Sequence, residues 1–310
     1  MKNIKKTMVF PPFLKQGDTI VLVATARKIT KPDIAFSIQV FESWGLTVHL
    51  SKYLFEANNQ FAGTDDERLF DLQSAIDNPN IKAIFCVKGG YGTARIIDKV
   101  NFESFNKNPK WVCGFSDVTV LLMHLANIGF AGIHSIMPTQ FPKENSKNSI
   151  ESLKQTLFGE LATFQLKPHP LNINGKSKGK LIGGNLTIIN NLIATSSDFD
   201  FENCILFIED IDEYLYHIDR MLGHLFRTSK LNKLAGLIVG HFSDMKDNTV
   251  PFGKDSYAII SDYISNFNFP VVFGFPVGHE FDNLALIVGS EIKMDVDSQH
   301  VVIEYLYNGN

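Results

Sequence analysis

A doubly wound α/β sheet is the fold class that the sequence predicts for its first half, and two features carry that expectation. Short, unbroken apolar runs recur at residues 19–25, 83–87 and 111–115; such runs suit parallel strands covered on both faces rather than strands with one wet face. Between them lie segments with helical apolar spacing, so strand and helix alternate in the manner of βαβ units. In order, residues 19–25 open the sheet after Gly17-Asp18, a helix runs from about Pro32 to Trp44 and closes at Gly45, and residues 47–50 form a short second strand. Residues 65–76 form a helix whose first turn carries acidic side chains, which suit the positive end of the helix dipole. Residues 83–87 are a third strand, 92–100 a helix, 111–115 a fourth strand and 118–128 a helix.

With 310 residues the chain is too long for one ordinary core and suits two domains. Residues 143–180 change character, with one helix near 150–157 followed by Lys, Pro, Asn and Gly in quantity. An N-terminal α/β domain over 1–160, a linker over 161–178 and a C-terminal domain over 179–310 follow from this. In the second domain Gly183-Gly184-Asn185 opens an apolar helix, residues 204–208 are a strand, and a later helix puts Ile218, Met221, Leu222, Leu225 and Phe226 on one face. Strands at 237–239, 271–273, 285–288, 292–296 and 301–305 make this domain mixed and β-rich.

Apolar residues make up 45% and charged residues 20% of the chain, the balance of a soluble globular protein. A net charge of -4 with scattered lysines offers no basic stripe for nucleic acid or an anionic membrane. The N-terminal run is basic like a signal peptide but meets Pro11-Pro12 before an apolar segment can form, and no later stretch is long and apolar enough to span a bilayer. A cytoplasmic protein is therefore expected. The three cysteines, Cys86, Cys113 and Cys204, lie in apolar strand-like runs without metal spacing and read as buried, inert thiols.

The residues that could carry chemistry sit where strands end. Trp111-Val-Cys-Gly114-Phe115-Ser116-Asp117 reads as strand, tight turn and helix start. Ser116 then projects from the strand end beside the unpaired amides of a first helical turn, which is nucleophile geometry. From this stretch alone the plainer reading, that Ser116 or Asp117 caps the helix, has the better claim. Lys88-Gly89-Gly90-Tyr91-Gly92 also follows a strand, but Arg95 stands where a dinucleotide fingerprint needs its third glycine and no Walker lysine is present. A plain turn and an amide donor for an oxyanion stand level there.

Glu209, Asp210, Asp212 and Glu213 end an apolar strand, where α/β sheets place ligands; solvated loop carboxylates and a magnesium site are the competing readings. Glu209 continues the face of Ile205 and Phe207, so it is the more shielded carboxylate and calls for a partner such as an imidazolium. Among nine histidines, His279 in Pro276-Val-Gly-His stands out as a loop residue just past a strand, able to reach across a cleft, whereas His124 reads as a satisfied core or interface residue.

Taken together and in order, Gly89-Gly90-Tyr91-Gly92, Gly114-Phe115-Ser116-Asp117, Gly183-Gly184-Asn185-Leu186, Phe207-Ile208-Glu209-Asp210, Asp219-Arg220-Met221-Leu222 and Gly278-His279 resemble the LD-carboxypeptidase family of serine peptidases, which also contains the microcin C self-immunity hydrolases. The resemblance implies a flavodoxin-like parallel-sheet N-terminal domain, a smaller β-rich C-terminal domain, an active site between them, and a homodimer. It also implies a Ser-Glu-His triad of Ser116, Glu209 and His279, with an oxyanion hole from the amides of Asp117 and Gly90; with the acidic run assigned to that triad and no ligand spacing among the histidines or cysteines, no metal and no cofactor are expected. The triad agrees with the chemistry of the residues, because a neutral serine needs a base and that base needs a fixed tautomer. The family commonly has Arg where Lys88 stands and His-Gly-Pro where this chain has His134-Ser135-Ile136. Lys88, the candidate substrate-binding cation, presents a point charge in place of a bidentate fork. The activity implied is release of the terminal D-Ala from a muropeptide tetrapeptide in cell-wall recycling. The alternatives are a hydrolase of peptidyl- or aminoacyl-nucleotide amides, as in microcin immunity, and a catalytically silent binder of small ligands.

Overall fold

The computed structural model describes residues 8–280 and 282–306, and most of the basic N-terminal run discussed above lies outside them. The chain divides into two compact units, one running to Glu160 and taking in Leu284–Gly289, the other holding Leu161–Asn283 and the residues after Gly289.

The first unit contains β1 (Thr19–Val23), α1 (Lys31–Ser43), β2 (Thr47–Leu50), α2 (Asp65–Asp77), β3 (Ile81–Cys86), α3 (Glu103–Lys107), β4 (Trp111–Gly114), α4 (Thr119–Ile128), β5 (Gly132–His134) and α5 (Lys147–Leu157). Strands β2, β1, β3, β4 and β5 lie in that order and pair in parallel. This is the flavodoxin-like order, with its topological switch point between β1 and β3, and ligand chemistry in such sheets gathers at the carboxyl ends beside that point. The apolar runs are buried on both faces: Ile20, Leu22, Ala83, Phe85, Trp111 and Val112 are all fully inaccessible. Thr64 starts α2 with a capping box, accepting from the Glu67 amide while Glu67 accepts from the Thr64 amide at 2.7 Å.

Residues 92–100 are not the helix that their composition suggests. They form two 3₁₀ turns, Thr93–Arg95 and Ile97–Lys99. Thr93 is tied to neighbouring strand ends there, its hydroxyl bonded to the Thr25 hydroxyl at 2.8 Å and its amide to the Asp117 carboxylate at 2.9 Å.

The second unit contains β6 (Thr163–Leu166), β7 (Gly175–Asn185), α6 (Leu186–Leu192), β8 (Cys204–Ile211), α7 (Leu215–Arg227), β9 (Gly236–Ser243), α8 (Ser256–Ile264) and β10 (Val271–Phe273). After β11 (Leu286–Val288), which belongs to the first unit, it is completed by β12 (Glu291–Val296) and β13 (Val301–Tyr305). Its sheet runs β10-β9-β8-β7-β12-β13-β6, parallel from β10 to β7 and antiparallel beyond.

Two expectations about organisation are corrected here. Residues 161–178 are not a linker: β6 lies among them and β7 begins there, where the alternation Lys176, Ser177, Lys178, Gly179, Lys180 pairs antiparallel with β12. A half-wet antiparallel strand is rich in the lysines and glycines that resemble a linker in one dimension. Residues 284–289 do not belong to the C-terminal domain, because β11 adds an antiparallel edge to β5 of the first sheet.

Candidate active site

In the first unit the carboxyl ends of β1, β3 and β4 bring three turns together. Ser116 follows β4, half-buried, with φ at +60°. A left-handed conformation is uncommon for a residue with a Cβ and costs on the order of 1–3 kcal/mol, a strain that gathers at functional turns. The strand-turn-helix elbow that holds a nucleophilic serine has this form. A single 3₁₀ turn, Ser116–Val118, leads into α4, so the Asp117 amide lies in the first turn where backbone donors are left over.

The glycine turn after β3 packs directly on this serine. A Cβ placed on Gly89 would stand 3.1 Å from the Ser116 Cβ and 3.2 Å from its Oγ, so a side chain there would have to push the serine aside by a few tenths of an ångström. Gly90 is exposed, with φ at +107°. Lys88 lies half-buried just before it, and its charge reaches Asp33, whose carboxyl is held below the ordinary range chiefly by the Thr30 amide and hydroxyl and further by Lys88. His134, at the end of β5, is fully buried edge-on to Phe115, and the Ser135 amide donates to the Gly114 carbonyl at 3.1 Å.

In the second unit the ends of β8 and β9 build the other group. Between Ile208 and Asp210 the pairing slips, so that Gly240 and His241 of β9 stand opposite Glu209 alone. Such a bulge re-aims side chains beside functional sites. The chain after β10 returns over it, with the His241 amide donating to the Val277 carbonyl at 2.9 Å. Gly278 then passes so close to Glu209 that a Cβ there would meet Glu209 Cβ at 3.0 Å and Oε2 at 3.2 Å. That close approach delivers His279, whose Nδ1 lies 2.7 Å from Glu209 Oε2. The Glu209 side chain is wholly buried, that of His279 is 13% exposed, and Glu209 Oε1 is buried without a hydrogen-bond partner. A carboxylate accepting from Nδ1 fixes the tautomer and orientation of the imidazole.

Asp210 is not a solvated loop residue. It accepts from Asn185 Nδ2 at 2.8 Å, the Thr187 amide and hydroxyl at 2.9 Å each, and the Ile211 amide at 2.9 Å, which joins the end of β7 to the end of β8. Burial, reinforced by the Glu209 charge, raises its pKa from the ordinary 3.8 to about 6. A folded-state pKa raised in this way means that the folded protein binds the proton more tightly, so the contribution of Asp210 to stability is full below pH 3.8 and is lost as pH rises through 6. The shift corresponds to about 3 kcal/mol. Denaturant titrations should therefore show the stability of the wild type, measured against Asp210→Asn, increasing by roughly that amount from pH 7 to pH 4. A constant difference across this range would show that Asp210 does not titrate there.

His241 escaped the sequence reading. It is half-buried, its Nδ1 has no hydrogen-bond partner, and burial lowers its pKa against the opposing charges of Glu280, Glu209 and Asp282. The signal was present, since Gly240-His241 ends an apolar strand just as Gly278-His279 follows one. His124 stacks on Phe102, and the three cysteines are buried and free, with the Cys86 thiol pushed up to about 12 by burial. Among the described residues no three or more His, Cys, Asp or Glu side chains gather in a way that could hold a metal ion, and no helix is long and apolar enough to cross a membrane.

Comparison with known proteins gives a consistent result. Residues 20–135 match the model of the LD-carboxypeptidase N-terminal domain and residues 178–294 that of the LD-carboxypeptidase C-terminal domain. A relative from Bacillus subtilis (strain 168), named "Probable murein peptide carboxypeptidase", is 33% identical over 315 residues, covering 98% of this chain and 97% of its own length. The crystal structure of muramoyltetrapeptide carboxypeptidase from Oxalobacter formigenes is 28% identical, covers 94% of this chain and 100% of its own, and superimposes with a TM-score of 0.86. The microcin C7 self immunity protein MccF, in complex with aspartyl sulfamoyl adenosine, is 21% identical with a TM-score of 0.84 over 96% of this chain and 98% of its own, a likeness of fold alone.

Proposed function

The chain belongs to the LD-carboxypeptidase family, a family of serine peptidases, and from that premise we propose that it releases the terminal D-alanine of muropeptide tetrapeptides by a Ser116-His279-Glu209 triad. The observation that carries the triad is the 2.7 Å bond between His279 Nδ1 and a fully buried Glu209. Ser116 in its left-handed turn supplies the nucleophile. In this mechanism Ser116 Oγ attacks the carbonyl carbon of the bond to D-Ala while His279 Nε2 takes its proton, and Glu209 stabilises the imidazolium that forms. The amides of Gly90 and Asp117 bind the oxyanion. His279 then protonates the leaving amine, D-Ala departs, and a water activated by the same imidazole hydrolyses the acyl-enzyme. Lys88 holds the terminal carboxylate as a point charge. The protein would act in the cytoplasm as a homodimer, on peptides recovered from the cell wall, without a metal or cofactor.

The substrate assignment is tested by comparing kcat/KM on a tetrapeptide ending in L-centre–D-Ala, on its C-terminal amide, on the L-Ala epimer and on an aminoacyl sulfamoyl-adenosine. Blocking the carboxylate removes a charge-assisted contact worth about 1.5–3 kcal/mol, a loss on the order of 10–100-fold. Preference for the free D-Ala acid is expected. Indifference to the end group, together with turnover of the adenosine compound, would overturn the carboxypeptidase assignment in favour of a nucleotide-amide hydrolase.

A further inference from the structure

We propose that the Asp117 side chain is a positioning residue that ties the glycine turn after β3 to the serine turn after β4, and so holds the two oxyanion amides at a fixed spacing. The proposal rests on the triad reading above and assigns a role to a carboxylate where that reading uses only a backbone amide.

Three observations carry it. First, Asp117 points inward: it is 1% exposed, while its neighbour Ser116 is half-buried. An acidic residue that merely caps a helix stays near solvent and accepts from amides of its own first turn. Asp117 instead reaches across 24 positions of sequence, accepting at Oδ2 from the Thr93 amide at 2.9 Å. Secondly, the bond spans the place where spacing matters. Thr93 follows directly on the Gly89 to Gly92 turn, whose Gly89 is packed against Ser116 Oγ, and the Thr93 hydroxyl donates to Thr25 at the end of β1. Asp117, Thr93 and Thr25 thus form a chain linking the ends of β4, β3 and β1.

Thirdly, the arrangement is costly for a role in packing alone. Asp117 Oδ1 is buried without a hydrogen-bond partner, and desolvation pushes the carboxyl pKa up, against the Thr93 hydroxyl, the Thr93 and Gly92 amides and the Arg68 charge. Arg68 is itself 1% exposed and is held by the Thr25 carbonyl at 3.1 Å, the Gly63 carbonyl at 2.9 Å and Asp65 at 2.5 Å. Burying a carboxyl group to secure one turn is reasonable where preorganised donors must not shift, because oxyanion stabilisation depends on dipoles fixed before charge develops.

The test separates the tetrahedral adduct from the ground state. In Asp117→Ala, kcat should fall about 100-fold with KM altered less than about threefold, the size of effect that a displacement of roughly 1 Å produces. Affinity for a peptidyl boronate, which forms a tetrahedral adduct on the serine, should fall by the same factor, while affinity for the tripeptide product should stay put. Unchanged boronate affinity would overturn the proposal, and so would equal losses of boronate and product affinity, which signify general disruption. Asp117→Asn keeps the volume and one acceptor oxygen and should recover most of the loss; it carries the test where the alanine variant does not fold. A folded Asn variant that loses as much boronate affinity as is expected of alanine would equally count against it. Ser116→Ala assayed alongside distinguishes the two readings. Activity in that variant removes the nucleophile assignment itself, whereas an inactive Ser116→Ala beside an unimpaired Asp117→Ala removes only the role proposed here.

Discussion

Replacing Ser116 with alanine is expected to lower kcat by roughly 10⁴-fold or more, with KM and thermal stability close to wild type. The asymmetry follows from the turn. Alanine accepts the +60° φ no better and no worse than serine, so the strained backbone persists and the packing of Gly89 against the residue is kept, while the attacking oxygen is lost. The oxyanion amides and the substrate contacts remain, and they account for whatever rate survives. Steady-state kinetics on the tetrapeptide, with a nucleophile probe that labels the wild type at Ser116, make the check. Near-wild-type turnover in a well-folded variant would remove Ser116 from the mechanism.

Glu209→Gln should lower kcat by about 10³–10⁴-fold with a modest change in KM. The environment of Glu209 explains why an almost isosteric change should cost so much. Its Oε2 meets His279 Nδ1 at 2.7 Å and its Oε1 is buried with no partner. A glutamine can turn its oxygen to the histidine, leaving an NH₂ group dry and unpaired, or turn its NH₂ to the histidine and force the wrong tautomer. Neither arrangement supplies the charge that stabilises an imidazolium. A Glu209→Gln enzyme as active as wild type, beside an inactive Glu213→Gln, would show that another carboxylate serves the histidine.

The parallel half of the fold was legible because burial on both faces writes a distinctive code. Runs such as Ile20–Val23 and Ile84–Cys86 suit little else, and their order along the chain led directly to βαβ connections. What stayed hidden depends on tertiary pairing. β5 is three residues long, and β7 looks polar until β12 lies beside it. The 3₁₀ turn at Thr93 is bonded to Thr25 and Asp117, residues distant in sequence. The candidate site divides in the same way. Ser116 and Glu209 stand at strand ends; alternation set Glu209 apart as the shielded carboxylate, but β8 is buried on both faces and Asp210 is shielded as well, so it is the 2.7 Å contact with His279 that distinguishes Glu209. His241 carried the same strand-end signal as His279, but the β8–β9 slip that brings it opposite Glu209 exists only when both strands are present, and the inward turn of Asp117 has no counterpart in any local motif.

The strand lent to the first sheet by residues 284–289 makes the two units inseparable as genetic parts. The polypeptide leaves the first unit after Glu160, returns to supply β11 along β5, and leaves again before Ser290. A fragment that stopped at the first crossing would carry Ser116 on a sheet with the β5 edge bare, open to pairing with any passing strand. A ribosome must therefore make β6 to β10 of the second unit before it supplies the strand that covers the β5 edge of the first sheet.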